Sequence, residues 1–255
     1  MKMNRIGSLY ILFFLGVFEA QSQSEKKLHE NAVLVDTHND CLTSLTLEGK
    51  DITSKLTVGH SDLYRWKKGG LDVQFFSIWT DKTPRNKGGF YKDAVEEIDS
   101  LHHIILRNPD KMTFATTYRE VKKRVNKGKL VSLIGVEGGH MIEEDMTKLD
   151  SLYSKGMRYL TLTWNNSTSW ASSAMDETLH PDKLKQKGLT EFGRQIVRRM
   201  NELGVIVDLS HVGEQTFYDA IAETKKPVLL SHSSVWGICP VFRNVKDEQI
   251  KAIAK

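Results

Sequence analysis

The chain has 255 residues, 40% hydrophobic and 27% charged, and its 36 basic against 32 acidic residues leave a formal net charge of +4. This is globular composition, and five prolines with no biased tract exclude a disordered chain. The basic residues are scattered, with no stripe interleaved with aromatics to track a phosphate backbone, which excludes nucleic acid as a partner.

At the start, Lys2 and Arg5 precede the apolar run from Ile6 to Phe18, and a polar stretch from Gln21 to Lys27 follows. Residues 1–22 therefore read as a cleaved signal peptide, with Ala20 and Ser22 as candidate cleavage positions. The run is shorter than the roughly 20 residues a membrane span needs, so no stable span is expected. The mature domain, 25–255, is placed outside the cytoplasm, secreted or periplasmic. Cys41 and Cys239 are too few for a disulfide framework, and the sequence leaves open whether they pair.

From there, short apolar, β-branched runs alternate with segments of helical periodicity. The first run, 33–40, has the look of a buried strand that ends in "VDTHND". Residues two apart on a strand point the same way, which puts His38 and Asp40 on one face. A second strand covers 71–79, and a helix over 92–107 then carries Val95, Ile98, Leu101 and Ile105 on one side. The third strand covers 130–137. A helix over 146–155 stops at Gly156, and a fourth strand follows at 158–164. The segment 190–203 places Phe192, Ile196, Met200 and Leu203 on one helical face and stops at Gly204. The remaining elements are a strand at 205–211, a helix at 214–223 and a sixth strand at 228–232. Asp247 is positioned to cap a last helix whose apolar face opens with Ile250 and Ile253.

Such alternation implies right-handed crossovers and a parallel sheet with helices outside, either doubly wound or a β/α barrel. A barrel commonly needs about 250 residues, so one domain suffices. "GVEGGH" at 135–140 has the wrong glycine spacing for a dinucleotide fingerprint, and no redox cofactor is indicated.

The strand ends collect the chemistry. His38 and Asp40 end the first strand, Glu137 the third, His211 the fifth and His232 the sixth. In a parallel barrel every strand points its C-terminal end at the same mouth, so these five groups converge there. Three histidines and two carboxylates form a ligand set for one or two divalent metals, in which neutral imidazole suits zinc and Glu137 can bridge two ions. Taken singly, a buried histidine such as His211 is more often hydrogen-bonded structure than a ligand. Five buried ionisable groups without metal or mutual pairing would cost several kcal/mol each. His29, His60, His102, His103 and His180 fall on loops or helices and read as surface residues, and His140, just beyond Glu137, reads as a loop residue ahead of the alternative, a support behind the ligands.

"VDTHND" at 35–40, "LIGVEGG" at 133–139, "GMRYLTLTWNN" at 156–166, "IVDLSHV" at 206–212 and "LLSHSSVWGICPVFRNV" at 229–245 together resemble the membrane dipeptidase (renal dipeptidase) family of metallopeptidases. The resemblance implies a TIM-type (β/α)8 barrel with a two-zinc site at its mouth. By position, His38 and Asp40 hold one Zn2+, His211 and His232 hold the other, and Glu137 bridges them. A hydroxide between the ions would attack the peptide carbonyl of a small dipeptide, and Arg243 would pair with the substrate's free carboxylate. The implied protein is a secreted dipeptidase that tolerates a D-residue at the C-terminal position, and a homodimer is compatible with it.

Two departures stand out. Where family members follow "LTLT" with a substrate-contacting histidine, this chain has Trp164, which reads as an aromatic lining the pocket. Asn165 and Asn166 follow it as candidate oxyanion donors. The family also continues through two further strands, the last bearing an aspartate that handles the proton, so a barrel truncated after about six strands is expected here. The alternatives are a related metal-dependent amidohydrolase, opening a lactam or cleaving an acyl-amino acid, and an inactive metal-binding remnant.

Overall fold

The computed structural model describes residues 25–125 and 128–255, and the expected signal peptide, 1–22, lies outside the described residues. Among the described residues no helix is long and apolar enough to cross a membrane.

Six strands form one parallel sheet, a partial barrel: β1 (Leu34–Asp36), β2 (Leu71–Trp79), β3 (Met112–Phe114), β4 (Leu130–Glu137), β5 (Met157–Thr161) and β6 (Ile206–Asp208). The hydrogen-bonded path runs β1-β2-β4-β5-β6, with β3 also on β4. Every residue of β4 is buried, which explains its near-continuous apolar run, because a parallel strand is covered on both faces. β2 lies along one side of β4, from Val73 opposite Val131 to Trp79 opposite Glu137. On the other side β3 takes the start, with Met112 opposite Leu130, and β5 takes the end, with Thr161 opposite Glu137. The strand β3 is missing from the sequence expectation because three residues are too few for an alternation to register.

Helices cover the sheet: α1 (Leu63–Gly69), α2 (Phe90–Arg107), α3 (Tyr118–Arg124), α4 (Met146–Ser154), α5 (Ala174–Leu179), α6 (Glu191–Leu203), α7 (Glu214–Glu223) and α8 (Asp247–Ile253). The expected helices correspond to α2, α4, α6, α7 and α8. In α6 the Thr190 side chain accepts from the Gly193 N–H, and the helix ends at Gly204 with φ at +74°, where glycine pays no Cβ penalty. The predicted faces are core: Ile98 and Leu101 of α2 and Ile196 and Met200 of α6 have no exposed surface. Each such side chain contributes roughly 1.5–3 kcal/mol by leaving water.

Three expectations need correction. The run 33–40 forms a strand only over Leu34–Asp36, and Val33, Leu34 and Val35 are exposed rather than buried. The reason is that β1 is the end of the sheet path and pairs with β2 alone. His38 and Asp40 therefore lie past the strand, in a turn where the Asp36 side chain accepts from the His38 N–H. Next, 228–232 forms a single bridge to β6 instead of a strand. The Leu229 N–H donates to the Val207 carbonyl at 2.9 Å and the Leu209 N–H to the Leu229 carbonyl at 2.8 Å. Finally, Asp247 is the first residue of α8 rather than its cap. Lys246 takes the cap position, its N–H donating to Gln249 Oε1.

The end of β2 is pinned by a buried carboxylate. Glu97 of α2 accepts from the Trp79 N–H at 2.8 Å and the Thr43 hydroxyl at 2.6 Å, and the Arg85 guanidinium lies 3.1 Å away. Burial pushes its carboxyl up to about 7, against the bonds that favour the charged form. A folded pKa above the ordinary 4.5 means that this stability is fully present below about pH 4.5 and is lost as pH rises through about 7. Between about pH 5 and pH 8 wild type should lose up to about 3 kcal/mol relative to Glu97→Gln. Denaturant unfolding of both proteins at the two pH values measures this, and parallel pH dependence would reject it.

Candidate metal centre

All five predicted ligands meet at the C-terminal end of the sheet, around the Glu137 carboxylate that terminates β4. Glu137 is 3% exposed. Its Oε2 lies 3.3 Å from His38 Nε2, which in turn lies 3.0 Å from Asp40 Oδ1. Its Oε1 lies 2.7 Å from His211 Nε2 and 3.1 Å from His232 Nε2. One Glu137 oxygen thus faces His38, whose Nε2 also meets Asp40, and the other faces His211 and His232, while the His38 and His232 rings stack with centroids 3.7 Å apart. Ligand atoms of His38, Glu137 and His232 all fall within 4.8 Å of one another.

Burial opposes a charged His38, but its bonds to Asp40 and Glu137 prevail and raise the ring to about 10. Burial and the nearby charges of Arg243 and His232 bring His211 down to about 4, although Glu137 pulls it upward. Burial also opposes the Glu137 charge, yet three histidine contacts hold the carboxyl well below the usual range.

Each histidine is fixed through its other ring nitrogen. His38 Nδ1 lies 2.9 Å from the Tyr159 hydroxyl, His211 Nδ1 lies 3.0 Å from Asn165 Oδ1, and His232 Nδ1 lies 2.8 Å from Ser231 Oγ. This is the arrangement by which metal-ligating imidazoles are oriented, leaving every Nε2 for the centre. His211 also has φ at +66°, a left-handed backbone that histidine tolerates better than most residues and that costs of order 1–3 kcal/mol. The donor set fits a divalent cation. His211 and His232 bring their Nε2 atoms to 2.9 Å of each other beside one carboxylate oxygen, and two such nitrogens need a proton or cation to share.

The glycines of "GVEGG" make room for this. A Cβ at Gly135 would lie 1.8 Å from Cζ of Tyr159, so the missing side chain lets the tyrosine ring cross β4 toward His38. At Gly139 a Cβ would lie 2.3 Å from the Trp170 ring and 2.5 Å from the Leu162 carbonyl oxygen.

The other predicted residues fall nearby. Trp164 packs edge-on against Trp79 at 5.2 Å between ring centroids, and 6.4 Å from the His211 ring. Asn165 commits its side-chain oxygen to His211, so only its Nδ2 is left to donate elsewhere. Asn166 Oδ1 is buried without a hydrogen-bond partner among the described residues. The Arg243 guanidinium donates to the His232 carbonyl at 3.3 Å, and burial lowers its pKa against the pull of Glu137 and Asp208. His140, expected in a loop, is buried in the helical turn Gly139–Ile142, its Nε2 3.2 Å from the Thr80 carbonyl, because its ring packs edge-on against Phe90. His102, expected at the surface, is partly buried against Phe114. Cys41 is buried, Cys239 exposed, and both are free.

Tyr159, Ser231 and Asp208 were not anticipated. Their signal is a polar group set among apolar strand residues, which a surface-facing alternation imitates.

A family model described as membrane dipeptidase (peptidase family M19) matches residues 22–255. A solved metallo peptidase from Rhodobacter sphaeroides, liganded with a phosphinate mimic of the dipeptide L-Ala-D-Ala, is 25% identical with a TM-score of 0.75, covering 87% of this chain and 70% of that one. A dipeptidase described as a metallo peptidase of family M19 is 27% identical with a TM-score of 0.74, covering 87% and 69%. An amidohydrolase from Pseudomonas aeruginosa is 25% identical with a TM-score of 0.70, covering 90% and 61%. The chain thus spans about 60 to 70% of the length of these structures.

Gly135→Ala should displace the Tyr159 ring and cost about 1–3 kcal/mol, the usual penalty of overpacking a core. Chemical denaturation measures it, and stability equal to wild type would show that the ring can move away freely.

Proposed function

Because the chain belongs to the membrane dipeptidase family, peptidase family M19, we propose that its site is a dinuclear zinc centre that hydrolyses dipeptides bearing a free C-terminal carboxylate. The observation that carries this is the Glu137 carboxylate, with His38 at one oxygen, itself beside Asp40, and His211 and His232 at the other. His38 with Asp40 would hold one ion, His211 with His232 the other, and Glu137 would bridge them. Two bound cations lower the pKa of a shared water toward neutrality and stabilise the oxyanion that forms on the scissile carbonyl.

The protein's own groups position the substrate. Among the described residues the Arg243 side chain has one hydrogen bond, to the His232 carbonyl, which leaves donors of its planar fork for a terminal carboxylate. Trp164 and Trp79 form an aromatic wall beside His211 and take the role of pocket lining. Asn165 orients His211 and has its Nδ2 to offer the oxyanion, with Asn166 beside it. That a relative was solved with a mimic of L-Ala-D-Ala supports a dipeptide with a D-residue at the C-terminal position. Residues 1–22 would direct the enzyme to the secreted or periplasmic space. A related amidohydrolase activity, favoured by the Pseudomonas aeruginosa structure, would use the same ligands and differ in the bond cleaved.

Metal analysis of purified protein should find two zinc ions per chain. Hydrolysis of Ala-D-Ala should vanish on chelation and return with zinc. Glu137→Gln should lower turnover at least about 100-fold, since even an outer-shell partner of a metal ligand is worth 10–100-fold. Folded protein that binds no zinc would sink the metal assignment, and two zinc ions with cleavage of acyl-amino acids alone would favour the amidohydrolase. Arg243→Lys should raise KM for dipeptides far more than it lowers kcat, because an ammonium cannot reproduce the fork. An unchanged KM would remove Arg243 from the substrate site.

A further inference from the structure

His232 differs from the other two histidines in what stands behind it. The segment that carries it forms no regular strand, only the bridge at Leu229, so ladder hydrogen bonds do not fix its position. A fully buried carboxylate, Asp208 at the end of β6, holds it instead. Asp208 Oδ1 accepts from the Ser231 N–H at 2.9 Å, the Ser210 N–H at 3.2 Å and the Ser210 hydroxyl at 3.1 Å. Asp208 Oδ2 accepts from the hydroxyls of Thr161 and Ser231, each at 2.6 Å.

The hydrogen-bond chemistry then runs in one direction. A carboxylate only accepts, so the single hydroxyl proton of Ser231 is committed to Asp208. Ser231 Oγ must therefore accept from His232 Nδ1, 2.8 Å away, and that nitrogen must carry the ring proton. The lone pair is left on Nε2, which lies 3.1 Å from Glu137 Oε1. The competing contact of Ser231 with Ser210, at 3.2 Å, does not reverse this, since the Ser210 hydroxyl also donates to Asp208.

We propose that Asp208 and Ser231 are positioning residues, a relay of two hydrogen bonds that locks His232 in the tautomer presenting Nε2 to the metal centre. The proposal rests on the dinuclear reading of that centre. Neither residue is among the proposed metal ligands or substrate contacts. Their effect is exerted through the imidazole, one of whose two neutral forms would aim an N–H at the ions and be unable to bind. Tyr159 and Asn165 meet the other two rings in a single step, with no charge behind them in the hydrogen bonds of the described residues.

The test uses Ser231→Ala and Ser231→Thr in the full chain, because Ser231→Ala leaves the backbone N–H and the other donors to Asp208 in place. Long-range nitrogen–proton NMR of metal-free, histidine-labelled protein should show a proton on His232 Nδ1 in wild type and Ser231→Thr, whether or not Nε2 shares a second proton with His211 Nε2. In Ser231→Ala the Nδ1 proton should be lost from a large share of the molecules. Zinc titration against a competing chelator should show two ions in wild type. In Ser231→Ala one of them should weaken by about 10–100-fold and the other stay unchanged, with Ser231→Thr restoring both. Two unaltered zinc affinities in Ser231→Ala, or a His232 Nδ1 without its proton in wild type, would overturn the relay while the centre stands. Wild type that takes up no zinc would overturn the centre and the relay together.

Discussion

A negative charge buried at the end of the central strand is the constraint around which this molecule is organised. Glu137 is reached by no lysine or arginine within ion-pair distance among the described residues, and its carboxylate is answered by three imidazoles. A buried charge left unpaired would be too costly to keep, so the chain must deliver those rings to within about hydrogen-bond reach of one point. They arrive from the turn after β1, the residues after β6 and the bridge segment at 229. A parallel sheet satisfies this demand cheaply, because every strand it contains ends on the same side.

Holding the rings requires a second layer of polar groups, and that layer is built into the strands themselves. Tyr159 on β5 reaches His38 across the gap at Gly135, and Asp208 on β6 gathers Thr161, Ser210 and Ser231. The end of β2 is secured separately, by Glu97 on α2. Rigidity at the centre thus comes from buried side-chain hydrogen bonds at strand ends, where the backbone ladder has already stopped. The left-handed backbone at His211 is the local strain that such support sustains.

The fold and the five central groups were legible in the sequence because both are recorded in regular patterns. Apolar runs of strand length and helical periodicities such as those of α2 and α6 are local signals, and His38, Asp40, Glu137, His211 and His232 each stand at or just after such a run. What lay hidden depends on contacts between distant segments. Tyr159 reads as another strand aromatic until Gly135 is seen beneath it, and Ser231 and Asp208 look like solvent-facing polar positions. The exposure of β1 is not written in its own residues, since "VLV" states a preference for burial and says nothing of whether a neighbour is there to provide it. The three-residue strand β3 left no pattern at all.

That exposed strand has a practical side. β1 ends the sheet path with Val33, Leu34 and Val35 at 53%, 37% and 45% exposure, and no strand pairs with its outer edge among the described residues. Trp236, Ile238 and Val241 add further apolar surface after the bridge segment. An unpaired apolar edge is a template for any extended peptide that meets it. Among the described residues the fold thus keeps an open backbone edge at β1 and a sheltered carboxylate at the end of β4.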